Sequence, residues 1–173
     1  MFLDVDGSIL CAPEHADNEA TVTRQIVQEV KQHNIAGFVT PSTKTFQIET
    51  KIWWRTVVAD FFKAHNNKIQ VVWLTGWKHN AHLLDKIFHL TQTSVLDWKV
   101  TPPDESGKKV ALMRWLKENP VDSFIWIDDV ATISVTQKDF TIPHLILTPN
   151  EDFALADNEI SQIQNFLFNR SHA

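Results

Sequence analysis

A chain of 173 residues with 43% hydrophobic and 21% charged residues is long enough for one domain with a sizeable core, and its composition is not that of a disordered protein. The formal charge of -5 argues against a general nucleic-acid coat, which needs clustered Lys and Arg, but leaves room for a local basic rim around one phosphate. Cys11 is alone, which excludes an internal disulfide, and no stretch reaches the roughly 18 apolar residues of a membrane span, so a soluble cytoplasmic protein is expected.

The front of the chain, Met1-Phe2-Leu3-Asp4-Val5-Asp6-Gly7-Ser8, is an apolar run ending in two acids one residue apart and a glycine. It reads as a buried strand delivering carboxylates to a sheet edge, with Asp4 and Asp6 on one face by alternation. Carboxylates that close repel unless a cation, a donor or a proton lies between them, so the pair asks for a metal. Gly7 lets the backbone turn sharply and leaves room for a ligand. With Asp4 in the functional pair, no removable signal peptide is expected ahead of it.

Residues 11–18 are turn-rich, and a helical pattern is expected over 21–33 through Ile26, Val27 and Val30. Residues 37–48 hold two β-prone runs around Pro41-Ser42-Thr43, expected as a hairpin turning there; His15 reads as a surface histidine. Over residues 50–65, Ile52, Trp53, Val57, Val58, Phe61 and Phe62 recur at helical spacing and predict a core-packing helix.

The nearly all-apolar run 69–74 has the pattern of a strand buried on both faces, ending at Thr75, whose hydroxyl can donate to a phosphoryl oxygen. A helix is expected to open at Trp77-Lys78-His79-Asn80, with Leu83, Leu84, Ile87, Phe88 and Leu90 inward and free N–H groups at its start. Trp77 either stacks on a nucleobase or caps the core. Residues 93–100 make a poorer strand, and 101–107 a loop. The next helix turns Ala111, Leu112, Trp115 and Leu116 inward, which lets Lys108 reach the active edge, and Lys109 nearly as well. A further buried strand over 123–127 ends in Asp128 and Asp129, a last strand is expected over 144–149, and a closing helix over 157–168. There is no Gly-rich P-loop, which argues against a Walker-type kinase.

Phe2-Leu3-Asp4-Val5-Asp6-Gly7 resembles the first motif of the haloacid dehalogenase-like (HAD) superfamily, and Val71-Val72-Trp73-Leu74-Thr75-Gly76 resembles its second. Lys108 or Lys109 is placed like its third-motif lysine, and Ile125-Trp126-Ile127-Asp128-Asp129 is similar to its fourth. Within the superfamily, Leu74-Thr75-Gly76-Trp77-Lys78-His79 and Trp126-Ile127-Asp128-Asp129 most resemble the small HAD domains associated with Swiss Army Knife RNA repair proteins. Ser8 departs from the threonine or valine frequent at its position.

Together these features predict an α/β, three-layer Rossmannoid fold with a mainly parallel sheet and helices on both faces, in one domain spanning residues 1–173 with room for a flap or small cap insert at about 12–50. The resemblance implies a Mg2+-dependent phosphomonoesterase working through an aspartyl-phosphate. Asp4 would be the nucleophile, Asp6 the acid and base, and Thr75 with Lys108 (or Lys109) the holders of the phosphoryl oxygens. Asp4, the Asp6 carbonyl, Asp128 and Asp129 would hold the metal. Gly76, Trp77, Lys78 and His79 would receive the substrate, expected to be a phosphorylated RNA or DNA end. The alternatives are a small nucleotide or sugar phosphate phosphatase and a non-catalytic phosphate-binding or interaction module.

Overall fold

The computed structural model describes residues 1–33, 39–98, 107–129 and 139–170. It divides into two compact units, Met1–Asn18 together with Trp53–Ala173, and Glu19–Ile52.

The first unit is built on a sheet of five short strands: β1 (Phe2–Leu3), β4 (Val71–Trp73), β5 (Thr93–Val95), β6 (Phe124–Ile127) and β7 (His144–Leu147). Their order is β5-β4-β1-β6-β7, and every pairing between them is parallel. This is the three-layer Rossmannoid arrangement that the alternating strands and helices predict. The chain runs outward from β1 through β4 to β5, then returns to the other side of β1 for β6 and β7. The strand order therefore reverses between β1 and β6, the place where such sheets bind ligands beyond their carboxyl ends.

Alternation divides the core between the two faces of the sheet. Phe2, Val72, Leu74, Phe124 and Trp126 pack with Ala111 and Leu112 of helix α2 (Gly107–Glu118). Trp115 closes edge-on over Phe2, with ring centroids 5.1 Å apart. Residues of the opposite parity, Leu3, Trp73 and Ile127, are fully buried as well. Helix α1 (Thr56–His65) buries Val58, Phe61 and Phe62, helix α3 (Asp157–Arg170) buries Ile160 and Ile163, and these two helices contact each other. The Trp73 indole, which no water reaches, donates to Asp85 Oδ1 at 2.9 Å and so leaves no buried donor unpaired there.

The second unit differs from expectation. Residues 21–33 belong to a strand, β2 (Asn18–His33), which pairs with β3 (Val39–Trp54) in a two-stranded sheet. Only residues 34–38 separate them, too few for the crossover of about a dozen residues that parallel pairing requires, so the pair is antiparallel. The physical signal is β-branching and period two: Ala20, Val22 and Arg24 are half-buried while Thr21, Thr23 and Gln25 are exposed. The spacing of Ile26, Val27 and Val30 mimics a helical stripe only because it ignores this alternation. Strand β3 also runs through Pro41-Ser42-Thr43, so the turn expected there is not found; residues 34–38 lie outside the described residues. Proline is tolerated in β3 because both strands of a two-stranded sheet are edges.

Two helix expectations need correction too. β3 continues to Trp54, so the helix expected over 50–65 begins only at Thr56. The segment Lys78–Leu84 is a 3-10 helix rather than an α-helix, entered through Lys78 at φ 50°, and Leu83 is exposed. Of the loop expected over 101–107, residues 101–106 lie outside the described residues, as do residues 99–100, while Gly107 already belongs to α2.

Candidate active site

Strand register brings the acids together. Leu3 pairs with Ile127 in β6 and with Trp73 in β4, so Asp4 and Asp128 leave neighbouring strands side by side and Thr75 follows one residue further out on the other flank. The ladder continues past the strand ends: the Asp4 N–H donates to Ile127 O at 2.9 Å, and the Asp128 N–H to Leu147 O at 3.2 Å. Asp4 is 7% exposed and Asp128 is fully buried, so their carboxylates need compensation.

Lys108 supplies it. From the first turn of α2, its Nζ donates to Asp4 Oδ2 at 2.7 Å and to Asp128 Oδ2 at 2.8 Å. Burial alone would lower the lysine pKa, but the two carboxylates outweigh that and hold it above its ordinary value. The ammonium also lies 5.7 Å from the Trp98 ring centroid, within cation–π range. Lys109 points elsewhere and pairs with Asp139 at 3.1 Å. Of the two lysines left open in the sequence, Lys108 is the one that reaches the acids.

Asp129 stands beside this pair. Asp4, Asp128 and Asp129 each offer a carboxylate oxygen, all within 4.8 Å of one another. Partial burial, then the charge of Asp4, pushes the Asp129 carboxyl above the usual range; Lys108 opposes this and Glu151 adds to it. Three clustered oxygen donors, one of them reluctant to ionise alone, fit a hard divalent cation such as Mg2+. Each carboxylate has two oxygens, so Asp4 and Asp128 can serve lysine and cation together.

Gly7 makes the approach possible. Its φ is +67°, and a Cβ there would come within 3.1 Å of the Asp129 Cβ and of Glu151 Cα and Cβ. Both the backbone conformation and the space demand glycine.

Asp6 lies beyond the end of the strand that carries Asp4 to the edge. β1 ends at Leu3, the chain turns with three successive N–H groups of Ser8, Ile9 and Leu10 aimed at Val5 O, and Asp6 is exposed while Asp4 is buried. What fixes its carboxylate is Trp77, whose indole N–H donates to Asp6 Oδ2 at 2.9 Å. Trp77 is 3% exposed, so it has no open face for a base, and of the two roles open to it, stacking on a base or capping the core, its burial favours the core. Its backbone N–H also donates to Thr75 Oγ1 at 3.2 Å, while Trp98 Nε1 donates to Thr75 O at 3.2 Å. The buried Thr75 hydroxyl, as acceptor from Trp77, keeps its proton for another partner.

The family model for the HAD domain in Swiss Army Knife RNA repair proteins matches residues 1–159. The chain belongs to this family. No curated protein and no solved structure matches it. In this HAD domain the sequence-predicted acids Asp4, Asp128 and Asp129 converge, with Lys108 among them and Thr75 and Asp6 tied to one tryptophan. Gly76 is exposed, with nothing within 4 Å of a Cβ built on it, so a ligand can approach its backbone. Lys78 is exposed and pairs with Asp97 at 3.1 Å, and His79 is exposed. Sequence reasoning missed Trp98 and Glu151. Neither lies in a motif, and only the return of their loops to the site reveals them. Ser8 is fully buried, and its hydroxyl has no partner among the described residues. Among the described residues, no helix is long and apolar enough to cross a membrane.

Proposed function

We propose that this HAD domain hydrolyses a phosphate monoester through an aspartyl-phosphate, at the phosphorylated end of a polynucleotide. The observation that carries the reading is the cluster at the strand-order reversal, where a buried aspartate is bridged by a lysine to a second buried aspartate. A structural ion pair needs only one carboxylate per ammonium; a surplus of acids around one lysine suits a site that handles a phosphoryl group and a cation. The RNA repair context of the family supports a polynucleotide end as substrate.

In this mechanism Asp4 attacks phosphorus as Lys108 and the Thr75 hydroxyl bind the phosphoryl oxygens. Asp4, Asp128, Asp129 and the Asp6 carbonyl would hold Mg2+, which would supply neutralisation of charge between carboxylate and phosphate. Asp6 protonates the leaving oxygen, then takes the proton of the water that cleaves the acyl phosphate. Trp77 acts through Asp6 as a positioning residue. The ribbon of Glu19–Ile52 takes up most of the stretch expected to hold a flap or small cap insert at about 12–50.

The direct test is phosphate release from an aryl phosphate, a mononucleotide and an oligoribonucleotide carrying a terminal phosphate, each with Mg2+ and with chelator. Release that depends on Mg2+ and a higher kcat/KM for the oligonucleotide than for the mononucleotide are expected. Equal rates in chelator would remove the metal from the mechanism, and no release from any ester would leave a phosphate-binding module. Faster turnover of mononucleotides or sugar phosphates would make this a small-metabolite phosphatase.

Trp77→Phe separates positioning from packing, because it keeps a ring in the core and removes only the indole N–H. A positioned general acid supplies about 10²- to 10⁴-fold, and matters most when the leaving alkoxide is basic. The variant should lose about tenfold in kcat on an alkyl phosphate and far less on a nitrophenyl ester, whose leaving group needs no proton. Equal losses on both substrates would reduce Trp77 to a core residue.

A further inference from the structure

The turn after β7 is unusually well fastened for a surface segment. The N–H groups of Phe153 and Ala154 donate to Asn150 O, the Asp152 N–H donates to Asn150 Oδ1, and Ala154 sits at φ 55°. The turn is also fastened to the loop that follows β1, through Ala12 N–H to Asp152 O at 2.8 Å and Leu155 N–H to Ser8 O at 3.0 Å. Yet this pinned turn presents Phe153 at 45% exposure. A single exposed phenylalanine is ordinary. Here, however, His15 from the post-β1 loop stacks on it, with centroids 3.9 Å apart and planes 26° from parallel. The two rings, with Arg55, Ala156, Asp157 and Asn158, line an open cavity of about 530 Å³, within the size range of small-ligand sites.

The chemistry of the rim decides what kind of ligand fits. Arg55 is committed, its guanidinium donating to Leu155 O and to Asp157 Oδ1, both at 3.1 Å. Its charge is therefore matched by the exposed carboxylate of Asp157. A rim with one arginine and one aspartate does not collect a second phosphate. It does suit an uncharged nucleoside: a flat aromatic shelf for the base, with carboxylate and amide oxygens to accept from ribose hydroxyls. Position agrees with this. Glu151 touches the space above Gly7 next to Asp129, and Phe153 follows two residues later, which is at most about 7 Å of chain.

We infer that the His15–Phe153 shelf is a nucleoside subsite, stacking a base at or next to the substrate's end while the terminal phosphate lies at Asp4. This rests on the polynucleotide-end reading given above, and it provides the base contact that the buried Trp77 cannot make.

The test uses Phe153→Ala and the ring-conserving Phe153→Trp in the full chain. One readout is the ratio of kcat/KM for a terminally phosphorylated hexariboadenylate to that for glycerol phosphate, which has no ring to stack. The ratio should fall roughly 5- to 150-fold in Phe153→Ala, the worth of one stacked base, and recover in Phe153→Trp. The second readout needs no catalysis: binding of a fluorescent hexariboadenylate without terminal phosphate, which should weaken by a similar factor and recover likewise. An unchanged ratio with unchanged binding overturns the subsite, as does an equal loss on both phosphoesters with unchanged binding, which would make Phe153 a brace for the turn. If binding weakens as expected but wild-type protein releases no phosphate from the oligonucleotide, the subsite stands and the phosphatase reading falls.

Discussion

Asp4→Asn should abolish phosphate release from every substrate, by on the order of 10⁴-fold or more, and should eliminate the covalent phosphoprotein trapped by acid quench. The amide has nearly the shape of the carboxylate but is a very poor nucleophile, so the change is chemical rather than steric. Asp4 is held by the ladder bond from its own N–H to Ile127 O, which the substitution leaves in place. Lys108 keeps its second partner, Asp128, at 2.8 Å, so the helix that carries it remains anchored. Far-ultraviolet dichroism and thermal midpoint should therefore change little beside the loss of activity. Asp6→Asn should fail differently: phosphoprotein should still form on an aryl ester and then persist, because what is lost is activation of the hydrolytic water. An Asp4→Asn protein phosphorylated as fully as wild type would put the nucleophile elsewhere.

The acid-bearing end of this fold was legible because buried parallel strands and their terminal acids leave a local mark. Phe2-Leu3-Asp4 and Trp126-Ile127-Asp128 are apolar until the chain leaves the sheet, and a charge at that point can only be at the edge. The Lys108 side chain was legible only to within one residue, since helix periodicity places Lys108 and Lys109 100° apart and both lie near the edge. Asp6 lies past a strand that ends at Leu3, so alternation along that strand does not by itself place its carboxylate. Trp77 was open between two roles, and its actual role depends on a partner 71 residues away, which no local pattern encodes. The ribbon was hidden for another reason. Its β2 strand carries Ile26 and Val27 on opposite faces, which blurs the two-residue period and leaves a spurious helical stripe. The His15–Phe153 pair joins loops from opposite ends of the chain, and single aromatics in turns carry no signal of their own.

Lys108→Met should cost both activity and stability, and the second loss should depend on Mg2+ in a way that identifies the site. With side-chain exposures of 12% for Lys108, 10% for Asp4 and 0% for Asp128, the trio is desolvated enough for its charges to count. Removing the ammonium strands two buried carboxylates beside Asp129, and breaking such a buried pair costs about 3–5 kcal/mol. At about 2–4 °C per kcal/mol for a protein of this size, the melting temperature in chelator should drop by roughly 6–20 °C. The carboxylates hold the lysine pKa above its ordinary value, so its stabilisation is complete below that ordinary value and is lost only as pH rises through the higher folded one. The gap between wild type and variant should therefore be flat from about pH 7 to about pH 9. Added Mg2+ brings charge to the same three acids, and with no ammonium competing for their field it should bind the variant more tightly than wild type. The Mg2+-induced rise in melting temperature should accordingly be larger in Lys108→Met, following the linkage between binding and unfolding. Turnover should nevertheless stay depressed by about 10²- to 10³-fold even in saturating Mg2+, because a donor to the phosphoryl oxygens has gone. A Mg2+ shift no larger in the variant than in wild type would mean that the acids around Lys108 are not where the cation binds. Full recovery of kcat in Mg2+ would show that the lysine balances charge in the fold and takes no part in phosphoryl transfer.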